Sequence, residues 1–185
     1  MYTTDFYPQY LFLLTGLTLA TIWDFKYFRI PNQLVITLLI AGVCWQSYQS
    51  GWFGFAIAIS GACLGFLVFI PLYILGGMGA GDVKLVAAAG SFMTGYQALA
   101  AAFLSLAIGT LIGLGIFLVK GGFPAFFKRY FLMFKTTLMT LELVYIPPAE
   151  SEVANEKYPC AIAIAFGFSY VMFHEPLKHY GLAFL

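Results

Sequence analysis

Two long stretches without a charged residue constrain this chain more than any other feature. No Asp, Glu, Lys or Arg occurs from Ile30 to Gly81, or from Leu85 to Val119. A membrane-crossing helix needs about 20 apolar residues, so each stretch is long enough to span a bilayer. Only 9% of the whole chain is charged, against about 25% in soluble domains. The sequence therefore predicts an all-α, polytopic bundle of transmembrane helices.

Breaks in the apolar pattern divide the chain into separate helices. The first uncharged stretch is too long for one span, and its polar cluster Gln46–Gly51 predicts a turn. A second break at Thr94–Gln97 separates a short helix from a full-length one. We therefore predict helices at Pro8–Trp23, Pro31–Tyr48, Trp52–Leu75 and Val83–Thr94, another ending near Val119, and a last one at Tyr158–Phe173. Residues 1–185 are expected to form a single integral-membrane domain.

Residues 122–157 leave two arrangements open. Gly122 to Tyr145 is apolar but contains several charged residues, which is typical of an interfacial amphipathic helix and also compatible with a poor sixth span. We favour the interfacial helix, because a crossing there would move Lys157 to the outer side. The hydrophilic residues that follow are then a cytoplasmic loop. The predicted architecture has about six spans, or five to six spans plus this interfacial helix.

The basic residues predict the orientation of the chain. Lys and Arg accumulate in cytoplasmic loops, and with the N-terminus outside, Lys178 is the only one of the nine that falls on the outer side. No basic cluster is dense enough to indicate nucleic-acid binding. The three cysteines lie in or beside apolar stretches without metal-ligand spacing. The bilayer is therefore an expected partner, whereas nucleic acid, metal ions and cofactors are not.

Two aspartates stand at the predicted cytoplasmic ends of helices. Asp24 closes the first helix, and Asp82 opens the short one directly after the glycine-rich run Gly76–Gly81. An acid near the apolar core is costly, so it usually has a function or a partner. Glycines beside Asp82 would give backbone freedom and remove side-chain bulk. Two carboxyls sharing one proton can activate water and protonate a peptide, the chemistry of an aspartyl protease.

Other functions remain open at this point. An Asp at a helix end is commonly a helix cap or a solvated group. A proton-coupled transporter or channel using Asp24 and Asp82 would also need buried acids, although such acids usually lie near the middle of the bilayer. A structural membrane partner would tolerate loss of either acid. Substitution of each acid by Asn would distinguish these classes.

Three segments resemble one known family. Asp24-Phe-Lys-Tyr-Phe-Arg-Ile-Pro-Asn32 is similar to its first aspartate segment, Gly79-Ala-Gly-Asp82 to its G-x-G-D motif, and Lys157–Gly167 to the proline-containing start of its last helix. These segments occur in the family order. The chain resembles the type IV prepilin peptidases, in the short form associated with Flp (tight-adherence) pili.

The resemblance implies an enzyme of the bacterial cytoplasmic membrane. It would remove a short basic leader from prepilins or pseudopilins at the cytoplasmic face, with Asp24 and Asp82 as the catalytic pair. Gly79 and Gly81 would shape the active-site loop, with Asn32 and Lys84 as supporting residues. The long members carry a paired-cysteine insert after the first helix that this sequence lacks, so zinc is not expected and N-methylation of the product stays undecided. The sequence indicates neither a particular prepilin nor an oligomeric state.

Overall fold

The described part of the chain is almost entirely helical. The structure is a computed structural model that describes residues 8–75, 77–120, 131–133, 135–136, 139 and 160–179. The helices with both ends described are α1 (Pro8–Tyr27), α2 (Asn32–Ile74), α3 (Ala80–Gly90), α4 (Gly95–Val119) and α5 (Ala161–His179). No strand occurs among these residues, which confirms the predicted all-α class.

The chain divides into two compact units. The first comprises residues 1–109 and 159–185, and the second comprises residues 110–158. The first unit contains both aspartates and all the packing described below. In the second unit, the structure describes the end of α4, where Leu111, Leu114 and Leu118 are exposed, and residues 120, 131–133, 135–136 and 139. The predicted single membrane domain stays a prediction.

α2 consists of two arms that reverse direction at Ser50 and Gly51. The backbone leaves the helical conformation there, with φ −133° and ψ 16° at Ser50 and φ 58° and ψ −136° at Gly51. Gly54 lies against the backbone carbonyl of Gln46, whereas residues eight positions apart in a straight helix are about 12 Å apart. The structure therefore confirms the turn predicted from Gln46–Gly51. Glycine suits position 51 because its positive φ disfavours residues with a Cβ.

Each arm of α2 is long enough to cross a bilayer. At about 1.5 Å per residue, residues 32–49 extend about 27 Å and residues 52–74 about 35 Å. Among the described residues, α2 and α4 are long and apolar enough to be membrane spans. α3 has 11 residues and extends only about 16 Å. It therefore lies within the bundle without crossing a bilayer.

Small side chains fill the interior, and large apolar side chains face outward. The fully or largely buried residues include Ala58, Ala62, Ala88, Ala89, Ala98, Ala101, Ala102, Ala161 and Ala163. The exposed ones include Leu11, Phe12, Ile22, Ile36, Ile40, Leu67, Phe103 and Leu111. In water this arrangement would be unfavourable, because large apolar side chains drive folding by leaving the solvent. In lipid the hydrophobic driving force between helices is absent, and helices pack closely through small residues instead. The chain is therefore a membrane protein.

α3 is the most enclosed helix of the first unit. Val83, Leu85, Val86, Ala88 and Ala89 are all at most 2% exposed. The helix packs against α2 and α5, and α1 also packs against both of those helices. The Asp82 end of α3 is therefore held in place by the surrounding helices.

Glycines allow α2 to approach α3 closely. Gly61 and Gly90 face one another, and a Cβ on either would overlap the backbone of the other. One turn further along α2, a Cβ on Gly65 would lie 3.2 Å from the backbone carbonyl oxygen of Val86. Gly61 and Gly65 therefore serve to pack α2 closely against α3. Backbone approach of this kind is typical of membrane helix pairs.

The helix ends differ modestly from those predicted. α1 extends to Tyr27, so Asp24 lies inside its last turn. α3 begins at Ala80 because Gly79 serves as its N-cap. α5 begins at Ala161, where the Cys160 carbonyl accepts the first helical hydrogen bond. The predicted interfacial helix and loop at residues 122–157 lie outside the described residues, apart from residues 131–133, 135–136 and 139, which are helical.

Substitution of Gly61 tests the close approach of α2 and α3. We expect Gly61→Ala to destabilise the protein by about 2–3 kcal/mol, because its methyl group meets backbone atoms that cannot rotate away. Gly115→Ala is the matched control, since its Cβ would meet nothing within 4 Å and Ala favours a helix by up to about 1 kcal/mol. Thermal unfolding in detergent measures both. Equal stability of the two variants would contradict this packing.

Candidate active site

Asp24 lies in the last turn of α1, beside a sharp change of chain direction. Its backbone carbonyl accepts a hydrogen bond from the Phe28 N–H at 2.8 Å. Phe28 has φ 49°, in the left-handed region that non-glycine residues seldom adopt. Helix α1 therefore ends there, and Ile30 and Pro31 lead directly into α2. The short connection keeps the start of α2 near the buried Asp24 side chain, which is only 5% exposed.

The carboxylate of Asp24 is held by the first residue of α5. The Ala161 backbone N–H donates to Asp24 Oδ2 at 3.1 Å, and the bond is buried. Thr21, three residues earlier on α1, donates to the Leu17 carbonyl at 2.8 Å and lies 3.4 Å from the Ala161 carbonyl oxygen. Both backbone polar groups of Ala161 thus contact α1. A hydrogen bond to an ionised carboxylate is stronger than one between neutral groups.

Asp82 lies in the first turn of α3 and is held by its own N-cap. The Gly79 N–H donates to Asp82 Oδ2 at 3.3 Å, and the Asp82 N–H donates to the Gly79 carbonyl at 3.1 Å. The side chain is 8% exposed. An acid in the first turn of a helix is favoured by the helix dipole. The segment Gly79–Asp82 is therefore a helix start that fixes a buried carboxyl group.

The two carboxyl groups interact electrostatically. Burial raises the pKa of Asp82 to about 6, the negative charge of Asp24 contributes to that rise, and the Gly79 hydrogen bond opposes it. Like charges near one another disfavour double ionisation. Two acids separated by 58 positions in the sequence are thus close enough for the charge of one to raise the pKa of the other.

The glycines before Asp82 act through their lack of bulk. Gly79 has φ −76° and ψ 146°, an extended conformation that any residue adopts. The backbone conformation at this position therefore does not require a glycine. A Cβ there would lie 3.1 Å from Asp82 Oδ2. A Cβ on Gly81 would lie 3.3 Å from the Ile30 side chain. Gly79 thus leaves room at the carboxylate, and Gly81 lets α3 approach the start of α2.

Asn32 and Lys84 contact one another near the pair. Lys84 Nζ donates to Asn32 Oδ1 at 3.1 Å, which joins the start of α3 to the start of α2. The side-chain oxygen of Asn32 is thus bound to Lys84. An apolar cavity of about 320 Å³ lies beside this contact, lined by Asn32, Val35, Ile36, Leu39, Phe66, Lys84 and Ala87. The Lys84 side chain is exposed.

Two positions at this site do not stand out in the sequence. Ala161 acts through its backbone amide, which every residue except proline has, and Thr21 resembles the other threonines of α1. The available signal was Pro159, which indicates a helix start two residues before Ala161. It predicts exposed amides at the start of α5 but not the acid to which they point.

The site contains the elements of acid–base chemistry. Two buried carboxyls share one environment, each accepts one backbone hydrogen bond, and one has a pKa near neutrality. Among the described residues, no three His, Cys, Asp or Glu side chains are grouped to hold a metal ion. The fold and the site together define a helical membrane protein with a paired aspartate centre at the junction of α1, α3 and α5.

Comparison with known proteins assigns the family. The model of the type IV leader peptidase family matches residues 11–118, which include both aspartates. The chain belongs to this family.

Two named relatives are prepilin leader peptidase/N-methyltransferases. The chain is 36% identical to the one from Aeromonas hydrophila over 117 residues, covering 58% of this chain and 40% of the relative. It is 33% identical to the one from Bacillus subtilis strain 168 over 114 residues, covering 59% of this chain and 44% of the relative. The chain thus matches less than half the length of these relatives. No solved structure matches it.

The stability of an Asp82→Asn variant tests the electrostatics of the pair. A folded-state pKa raised from 3.8 to about 6 means that Asp82 favours folding below pH 4 and loses that contribution as the pH rises through 6. Asn retains the acceptor for the Gly79 N–H but carries no charge. We expect Asp82→Asn to unfold about 6–12 °C higher than the wild type at pH 7.5, since the shift corresponds to about 3 kcal/mol.

The pH dependence supplies the control. Below about pH 3.5 the carboxyl is protonated in both the folded and the unfolded wild type, so the two proteins should unfold at nearly the same temperature. Thermal unfolding in detergent across this range measures the difference. A variant that is less stable than the wild type at pH 7.5, or a difference that does not change with pH, would contradict a repulsive buried pair.

Proposed function

We propose that this protein is an aspartyl peptidase that removes the short basic leader from prepilins of the Flp type. Asp24 and Asp82 form its catalytic pair and activate a water molecule between them. The observation that carries the proposal is the buried, electrostatically coupled pair of carboxyls in a chain that belongs to the type IV leader peptidase family. The proposal concerns the peptidase reaction only.

The two acids divide the work of peptide hydrolysis. One ionised carboxylate removes a proton from water as the oxygen attacks the scissile carbonyl carbon, and the other carboxyl donates its proton to the developing oxyanion or the leaving amine. Burial raises the pKa of Asp82, so the pair retains one proton, and we assign the base to Asp24, which accepts the buried Ala161 N–H. One protonated and one ionised carboxyl are the arrangement that acid–base catalysis requires.

The surroundings of Asp82 suit entry of an extended peptide. Gly79 lacks a side chain beside the carboxylate, so a substrate backbone has room to approach it. The α3 helix is too short to cross a bilayer, and we place its Asp82 end near the membrane surface, where a membrane segment is joined to its leader. The Asn32–Lys84 contact supports this end by joining the starts of α2 and α3.

The location follows from the charges. Lys26 and Arg29 come directly after Asp24, and Lys84 follows Asp82. Basic residues near helix ends favour the cytoplasmic side. We place the pair at the cytoplasmic face of the bacterial inner membrane, with the N-terminus outside, where a prepilin leader is accessible before the subunit is assembled.

Leader removal in vivo tests the proposal. Co-expression with a Flp-type prepilin should give a processed subunit with the wild type and only the unprocessed precursor with Asp24→Asn or Asp82→Asn, because Asn neither accepts nor donates the catalytic proton. Electrophoretic mobility and the new N-terminal sequence measure cleavage. Membrane extraction and thermal unfolding verify that the variants are folded. Processing by a folded single variant would remove that aspartate from the pair.

Gly79 provides a test of the room beside the carboxylate. We expect Gly79→Ala to lower the cleavage rate at least about tenfold, because the methyl group at 3.1 Å displaces the Asp82 oxygen and small misplacements of catalytic groups are costly. Gly77→Ala is the matched control, since its Cβ would lie 3.5 Å from its nearest neighbour, an ordinary contact. Equal cleavage rates for the two alanine variants would show that Gly79 has no such role.

A further inference from the structure

The start of α5 is the point where the last helix contacts the proposed catalytic pair. The buried hydrogen bond from the Ala161 N–H to Asp24 Oδ2 joins residues 137 positions apart. Ala161 is 0% exposed, so water does not compete for this amide. A carboxylate oxygen bound in this way cannot rotate without losing a charge-assisted hydrogen bond.

The contact is held on both sides of the same residue. While the Ala161 N–H donates to Asp24, the Ala161 carbonyl lies 3.4 Å from the Thr21 hydroxyl. Thr21 and Asp24 are three positions apart and therefore share one face of α1. Two contacts to one residue restrict both the translation and the rotation of the α5 start along α1.

The same helix contacts the second acid-bearing element. α5 packs against α1 and also against α3, and its first turn is buried through Ala161, Ala163 and Ile164. Ser105 and Gly167 contact one another where α5 packs on α4. Packing against several helices thus fixes the position of α5, independently of the hydrogen bond between its first amide and Asp24.

From this geometry we propose that the Ala161 backbone amide is a positioning group for catalysis. It fixes Asp24 Oδ2, which directs Oδ1 toward the reacting water and Asp82. The inference rests on the proposed peptidase function and adds a role for the last helix, which lies outside the residues matched by the family model. Its catalytic contribution is made through Asp24 and requires no contact between Ala161 and the substrate.

Proline at position 161 removes this one donor selectively. The Ile164 N–H donates to the Cys160 carbonyl at 3.2 Å, which makes Cys160 the N-cap and Ala161 the first helical residue. Proline is favoured at that position, because its φ matches the helix and no helical hydrogen bond is lost. Ala161→Pro therefore replaces the N–H facing Asp24 by a ring methylene and leaves the other helical hydrogen bonds intact. Ile162→Pro is the matched control, since it removes the next amide of the same turn.

The experiment compares purified wild type, Ala161→Pro and Ile162→Pro on a Flp-type prepilin in detergent. We expect Ala161→Pro to lower kcat at least about tenfold with KM changed less than about twofold, since the group positions a catalytic atom rather than the substrate. The acidic limb of its pH–rate profile should move to higher pH, because Asp24 loses a bond that favours its ionised form. Ile162→Pro should retain kcat and the wild-type pH profile.

The possible outcomes separate this inference from the peptidase proposal. If the wild type does not cleave the prepilin, the proposed function fails. If the wild type cleaves and a folded Ala161→Pro variant has the same kcat and pH profile, only the positioning role is overturned. A loss of kcat equal in both proline variants would likewise overturn it, because the effect would then belong to the helix start in general.

If Ala161→Pro does not fold, a second pair of variants tests the positioning role of Ala161. Thr21→Val removes the hydroxyl facing the Ala161 carbonyl, whereas Thr21→Ser retains it. We expect Thr21→Val to lower kcat about two- to fivefold without a change in KM, and Thr21→Ser to restore the wild-type value. Equal kcat for these two variants would overturn the positioning role.

Discussion

The burial of two acids in an apolar bundle is the interaction on which this structure depends. Each carboxyl loses water, and each receives one backbone N–H in return, from Ala161 for Asp24 and from Gly79 for Asp82. One hydrogen bond per carboxyl does not offset the desolvation and mutual repulsion of two full charges. The pair therefore retains a proton more readily than exposed acids do. Stability at neutral pH is therefore reduced at the same two positions where we propose that catalysis takes place.

Close helix packing makes this burial feasible. Where Gly61 faces Gly90, the backbones of α2 and α3 approach without intervening side chains. Such packing supplies many dispersion contacts in a solvent that gives no hydrophobic drive for helix association. It also holds α3 from both sides, so a helix of 11 residues remains ordered although an isolated helix of that length is only marginally stable. The rigidity of the Asp82 end thus derives from packing rather than from helix propensity.

Much of this arrangement could be predicted from the sequence. The uncharged stretches and the polar cluster before Gly51 predict the reversing arms of α2, because the cost of charges and turns in lipid is large and local. Asp24 and Asp82 can be identified as candidate site residues, because charges at the ends of apolar helices are costly in lipid. Their shared environment follows from the orientation of successive helices.

Other features could not be read from the sequence. The Ala161 amide has no side-chain signature, and its partner is distant in the chain. The Lys84–Asn32 bond depends on the relative rotation of α2 and α3, which residue types alone do not specify. Because Gly79 has an extended conformation, glycine suits this position through its lack of a side chain rather than through an unusual φ. Each of these depends on side chains and backbone groups meeting across helices.

The bond between Asp24 and Ala161 also has a consequence for biosynthesis. The ribosome delivers Asp24 137 residues before its partner, and Asp82 is likewise made long before α5. A nascent chain therefore holds both acids in the membrane while the amide that orients one of them has not been synthesised. On the proposed function, the growing polypeptide therefore holds its catalytic acids without the group that positions Asp24, and full activity is expected only after the final helix inserts.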